Sequence, residues 1–205
     1  MAATWIFDLD NTLHDAQSKI FPLVNVKMNE YISSYLDISL EDASSLRESY
    51  WERYGATLKG LIKHHNINPI DFLSVTHNLQ DFNKLVHPEN NLKKTLSKIQ
   101  GRKIIYTNAP KTYTNKILKI SKIFELFDEI FTIEDSNFIP KPDQGMMDTF
   151  LKKYNISEGF FIDDVKENLF TAKNSGLTTI WITNEKNQPS FIDKKIEKIS
   201  DLLSV

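Results

Sequence analysis

The sequence predicts an α/β protein, a parallel sheet covered by helices and interrupted after its first strand by an all-helical insertion. Three observations predict it. Strand candidates such as Trp5-Ile6-Phe7 and Ile104-Ile105-Tyr106 are apolar on both faces, as a sheet lying between two helical layers requires. From about residue 91 onward, such strands alternate with amphipathic helical patterns. Between Asp15 and Asn90 the signals are helical throughout, and 205 residues suit one domain carrying a modest insertion. The expected division is a sheet domain over 1–14 and 91–205 with a helical cap over 15–90.

The elements follow in order. Thr4–Leu9 is the first strand candidate. Ile20, Val24, Met28, Tyr31, Ile32, Tyr35 and Leu36 then recur at helical spacing. Ser39 with Asp42 three residues on resembles a capping box, opening a helix that Gly55 closes. Asn68-Pro69 reads as an N-cap and first helical position. Beyond the insertion, strands are expected over Lys103–Thr107, Glu129–Ile133, Gly159–Ile162 and Thr178–Ile182. Helices are expected over Thr112–Lys122 and over Val165–Asn174, the latter closed by Gly176. The Lys-rich end after Asn184 reads as a solvated last turn and edge.

Composition narrows the function classes. Hydrophobic residues at 40% and charged residues at 25% exclude a disordered or collagen-like chain. The absence of cysteine removes disulfides, Cys zinc sites, iron–sulfur ligation and thiol catalysis together. A net charge of −2 advertises neither a nucleic acid polymer nor an anionic membrane as partner. No apolar run approaches the ~18 residues of a membrane span. The opening Met1-Ala2-Ala3-Thr4-Trp5-Ile6-Phe7-Asp8 lacks a basic leader region, so no signal peptide is expected and a cytoplasmic location is.

The chemistry concentrates at strand ends. In Phe7-Asp8-Leu9-Asp10-Asn11-Thr12-Leu13 two acids follow the first buried strand, and on extended chain side chains two apart point the same way. A bare Asp-x-Asp is usually a pair of solvated loop acids. Here a second pair, Asp163-Asp164, follows Phe160-Phe161-Ile162, and open parallel sheets bind ligands outside the carboxyl ends of their strands. Two acidic pairs in that position need a cation between them; hard oxygen ligands without His or Cys point to Mg2+. Thr107-Asn108-Ala109 ends another strand, where a hydroxyl and successive N–H groups suit phosphate oxygens. Lys141, between Pro140 and Pro142, lies where no regular helix forms.

These four motifs resemble, in kind and order, those of the haloacid dehalogenase superfamily of aspartate-nucleophile phosphohydrolases: Asp8-Leu9-Asp10-Asn11-Thr12, Thr107-Asn108, Lys141-Pro142 and Asp163-Asp164. The long gap between the first and second is similar to members with a helical cap at that point. More narrowly, Tyr50-Trp51-Glu52-Arg53-Tyr54-Gly55-Ala56-Thr57-Leu58-Lys59-Gly60-Leu61, Thr107-Asn108-Ala109 and Leu126-Phe127-Asp128 resemble the pyrimidine 5′-nucleotidase subgroup. The resemblance implies a Rossmann-like core and a magnesium-dependent phosphomonoesterase acting through an aspartyl-phosphate. Its expected substrate is a small phosphorylated metabolite, a nucleoside monophosphate such as UMP or CMP, and the enzyme a monomer or homodimer.

Residue by residue, the resemblance makes Asp8 the nucleophile and Asp10 the general acid. Asp8, the carbonyl of Asp10 and Asp164 would hold magnesium, with Asp163 acting through water. Thr107, Lys141 and the amides of Asn108 and Ala109 would hold the transferring group. Charge agrees: four carboxylates exceed the charge of magnesium and Lys141 unless one keeps its proton, and crowding raises a carboxyl pKa in that direction. Tyr54-Gly55 would contact base or sugar, although core packing explains Tyr50 and Tyr54, four apart on one helical face, equally simply. His14 either meets the cap at the mouth of the site or packs at the hinge. Adjacent His64 and His65 face different ways and do not form a metal pair. Competing readings are the same chemistry on a sugar phosphate or phosphoglycolate, a dehalogenase, which has no use for Asp10, and a phospho-accepting receiver, whose motif order differs.

Overall fold

The computed structural model describes residues 3–204; Met1, Ala2 and Val205, within the boundaries expected for the sheet domain, lie outside them. The first strand, β1 (Thr4–Phe7), leads into the insertion: α1 (Ile20–Leu36), α2 (Leu40–Tyr54), α3 (Thr57–His65), α4 (Pro69–Thr76) and a single turn, α5 (Phe82–Leu85). The chain continues through α6 (Leu92–Lys98), β2 (Arg102–Tyr106), α7 (Lys111–Ile120), β3 (Glu129–Phe131), α8 (Gln144–Lys153), β4 (Phe160–Asp163), α9 (Lys166–Asn174), β5 (Thr178–Ile182) and β6 (Lys194–Ile196). Among the described residues no helix is long and apolar enough to cross a membrane.

The six strands form one parallel sheet in the order β3-β2-β1-β4-β5-β6. The chain thus begins in the middle and turns back on itself beside β1, which is the doubly wound arrangement with a switch point between β1 and β4. Neighbouring residues of each strand enter opposite cores. Phe7, Ile105, Ile162 and Ile180 join one cluster with Leu96, Ile117 and Leu118, while Ile6, Ile104, Phe161 and Trp181 join another with Phe150 and Leu169. Period-two alternation with both faces apolar is the reason these strands lie inside.

The insertion is built from local signals. Ser39 caps α2, its hydroxyl accepting the N–H of Asp42 at 3.0 Å, and Gly55 closes the helix in the left-handed region at φ 76°. Asn68 caps α4 ahead of Pro69, accepting from the N–H groups of Ile70 and Asp71. A third cluster gathers Ile32, Ala43, Leu58, Leu61, Ile67, Phe72 and Leu73. Leu79, Phe82 and Val86, late in the insertion, pack with the sheet's cluster instead.

Element ends shift by one or two residues, β3 stopping at Phe131 and α7 spanning Lys111–Ile120, and two departures bear on the sheet edge and the site. The Lys-rich end contributes β6, an edge strand pairing Lys195 with Trp181, because buried Ile196, Ile199 and Leu202 anchor it to one core and Ile192 to the other. The first strand stops at Phe7 rather than Leu9, because the Leu9 carbonyl turns to accept the N–H of Leu13 at 2.9 Å. Asn11, at φ 60°, carries this turn in the left-handed region that asparagine tolerates.

Candidate active site

Parallel pairing brings the carboxyl ends of β1, β2 and β4 to one edge, and the polar residues that follow them meet there. Asp8 continues the ladder, its N–H donating to the Ile162 carbonyl at 2.9 Å. Its carboxylate and those of Asp163 and Asp164 lie within 4.8 Å of one another. Lys141 enters from the loop before α8 and donates from Nζ to Asp8 Oδ1 and to Asp163 Oδ2, both at 2.7 Å. The rings of Tyr106 and Phe161 lie 5.5 and 5.6 Å from the same ammonium. Nothing in the run Pro140-Lys141-Pro142 alone forces this position; the Asn108 side chain does. Its Oδ1 accepts the Lys141 N–H at 2.7 Å and its Nδ2 donates to the Lys141 carbonyl at 3.2 Å.

Burial and like charge set the electrostatics. Removal from water raises the pKa of Asp8 well above the usual carboxylate range, Asp163 and Asp164 push the same way, and Lys141 opposes them. Asp164 is pushed up to about 6, by burial first and then by Asp163. Burial alone would discharge Lys141, but the carboxylates of Asp163 and Asp8 outweigh it and hold the ammonium charged. Asp163 is saturated: besides Lys141 it accepts from the Val165 N–H at 2.8 Å and from Asn168 Nδ2 at 3.0 Å. Asn11 opposes the rise at Asp164.

Three carboxylates and one ammonium leave this cluster two negative charges in excess. One divalent cation would neutralise them, and an all-oxygen donor set suits magnesium rather than zinc or copper. The residues therefore fit the metal.

The Asp10 carboxyl is not in that cluster. Because the chain turns at Leu9, it meets other partners: Tyr113 donates to its Oδ1 at 2.6 Å, and His14 Nε2 lies 2.8 Å from the same oxygen. Thr107 is buried, and its Oγ1 accepts the Ala109 N–H at 3.0 Å, leaving its own hydroxyl proton to donate. The Ala109 amide is thus already used within the turn.

Tyr54 lies in the insertion, its hydroxyl 2.6 Å from His64 Nε2 and its ring beside Tyr50, Arg53 and Lys63. Tyr50 pairs likewise with His65 at 2.8 Å and stacks on His64. Gly60 permits this, since a Cβ there would collide with the Tyr50 ring. Gly55 serves as the cap of α2. Three functional positions were missed by sequence reasoning: Tyr113, Asn168 and the clamp made by the Asn108 side chain. Only Tyr113 gave a signal, as a tyrosine in the first turn of a helix that starts at a strand end, where a buried hydroxyl needs a partner.

The family model of the haloacid dehalogenase-like hydrolases matches residues 5–182. The chain is 29% identical over 192 residues to phosphate metabolism protein 8 of Saccharomyces cerevisiae, covering 84% of this chain and 59% of that longer protein. A HAD phosphatase of Thermococcus onnurineus shares the fold with a TM-score of 0.70 at 19% identity, over 98% of this chain and 96% of that one. L-2-haloacid dehalogenase of Xanthobacter autotrophicus does so with a TM-score of 0.63 at 14% identity, over 98% and 97%. These likenesses extend through the helical insertion as well as the sheet.

Proposed function

The chain belongs to the haloacid dehalogenase-like hydrolase family, and from that premise we propose that it is a magnesium-dependent phosphomonoester hydrolase acting through an aspartyl-phosphate on Asp8. The excess of two negative charges at Asp8, Asp163, Asp164 and Lys141 carries the reading. A buried carboxylate nucleophile facing an anionic ester is repelled unless a cation stands between them.

Asp8, Asp164 and the Asp10 carbonyl would hold the metal, with Asp163 oriented behind them by Lys141, Val165 and Asn168. The chemistry a bound magnesium supplies is neutralisation of the nucleophile and of the phosphate oxygens. Asp8 attacks phosphorus, the bond to the ester oxygen breaks, and that oxygen takes the proton of Asp10. Asp10 then takes a proton from water as the water attacks the same phosphorus, which frees phosphate and restores Asp8. The Thr107 hydroxyl, the Asn108 N–H and Lys141 hold the transferring oxygens. Asp10 has no part in carbon–halogen displacement, so its presence favours an ester over a haloacid.

For the substrate, we favour a pyrimidine nucleoside monophosphate. The Tyr50–Tyr54 pair supports this, as aromatic faces suit a planar base, and the name of the yeast relative agrees with phosphate-ester chemistry. The test is a phosphate-release screen over UMP, CMP, purine nucleotides, a sugar phosphate and phosphoglycolate, with magnesium and with a chelator. UMP or CMP should be cleaved fastest, and chelation should abolish release. Fastest cleavage of the sugar phosphate would overturn the substrate, and full activity in chelator would overturn the metal.

A further inference from the structure

The polar groups around Asp10 are not explained by the phosphoryl-binding cluster. Tyr113, 2% exposed, and His14, whose side chain is fully enclosed, both approach the same oxygen, Oδ1. Asp10 itself keeps 16% of its side-chain surface open. The tautomer of His14 follows from its other nitrogen. Nδ1 is buried and has no partner, and an N–H there would be an orphaned donor, so the proton belongs on Nε2 and points at Asp10.

Two donors on one oxygen leave no room there for a proton. We infer that Tyr113 and His14 are positioning residues that engage Asp10 through Oδ1, so that its transferable proton resides on Oδ2. In the first half-reaction the Asp8 oxygen bonds to phosphorus, the phosphorus–ester bond breaks, and the ester oxygen receives the Oδ2 proton. Both donors stay on Oδ1 and steady the carboxylate that results. Tyr113 is held for this by its surroundings, its ring lying 5.6 Å from that of His77 and 5.9 Å from that of Phe82, both on the stretch returning from the insertion. The inference rests on Asp10 being the general acid.

Dependence on the leaving group separates this role from packing. A poor leaving group, such as the alkoxide of a nucleoside, needs the proton, whereas p-nitrophenolate departs without it. The measurement uses enzyme in excess with magnesium, so that only transfer to Asp8 is read, on p-nitrophenyl phosphate and on the alkyl phosphate cleaved fastest in the screen above. Tyr113→Phe should slow the alkyl ester about 10–100-fold, the value of a hydrogen bond to a charged group, and the aryl ester no more than a few-fold. Equal slowing of both, or of neither, overturns the inference. Asp10→Asn is run beside it. If that variant slows both esters equally, Asp10 is not the acid and the underlying reading fails; if it separates them and Tyr113→Phe does not, only the positioning role fails. Should Tyr113→Phe fail to fold, His14→Ala against His14→Gln, which keeps a donor, gives the same split: Ala should lose the alkyl ester selectively and Gln should recover part of it, and identical behaviour overturns the inference.

Discussion

The carboxyl edge of the sheet and the α2–α3 hairpin of the insertion both gather polar side chains, but under opposite conditions. At the edge, Lys141 and Asp163 are removed from water, at 3% and 0% side-chain exposure, and bond only to each other and to their neighbours. On the hairpin, the Tyr54–His64 pair faces solvent and neighbouring Trp51 is 62% exposed. In a buried cluster each group fixes the next, so loss of one member leaves a stranded charge. On an exposed hairpin each pair is separately replaceable. On the proposed function, chemistry that every phosphate ester shares would fall to the first arrangement and selection among esters to the second.

That contrast can be broken at either end. The largest effect is expected from Asp8→Asn, since an amide neither attacks phosphorus nor balances Lys141. Turnover and acyl-phosphate formation should disappear on every substrate, and activity within tenfold of the parent would refute the nucleophile. Lys141→Ala should cost ~10²–10³ in rate and, by leaving Asp8 and Asp163 buried without a counter-charge, about 3–5 kcal/mol in stability. Denaturant melts beside rate measurements would show both losses, or return Lys141 to the role of a spectator.

Smaller effects belong to the insertion. Tyr54→Ala should lower the preference for UMP or CMP over p-nitrophenyl phosphate by roughly tenfold, the scale of one aromatic contact, with stability and magnesium affinity kept. Equal loss on both substrates would make Tyr54 a packing residue. His77, at the end of α4, gives a pH effect. Burial pushes its pKa down to about 4 from the ordinary 6.5, against Asp10, which raises it. The unfolded chain therefore takes up a proton first as pH falls. The contribution of neutral His77 to stability is complete above pH 6.5 and is lost between there and pH 4. Melting midpoints of parent and His77→Gln should converge across that window; parallel curves would exclude it.

Much of the edge was legible because its residues obey short-range rules. Ile6-Phe7 and Phe161-Ile162 announce strands buried on both faces, and acids placed directly after such strands must lie at a sheet's carboxyl end. The partners of those acids come from elsewhere in the chain, and residue patterns alone did not reveal them. Tyr113, which reaches Asp10 from 103 residues away, was missed, and Lys141, which reaches Asp8 from 133, was placed at the site by the family resemblance. No local pattern encodes such a distance. β6 escaped for a different reason: in Lys194-Lys195-Ile196 a single apolar residue gives no alternation to read, and burial of Ile196 decides the matter.

The position of β1 sets a timetable for biosynthesis. It lies between β2 and β4, and the latter leaves the ribosome about 150 residues after it, roughly 10–30 s at ordinary elongation rates. Until Lys141 emerges, the insertion, whose cluster draws mostly on residues 32–73, has most of its contacts at hand, while Asp8 has neither its lysine nor its two companion acids. On the proposed function, a nascent chain that stops short of Asp163 and Asp164 is inert toward phosphate esters however well its helices have formed. Phosphate release should then begin only after Asp163 and Asp164 have emerged, which would make it a clock for the pairing of β1 with β4.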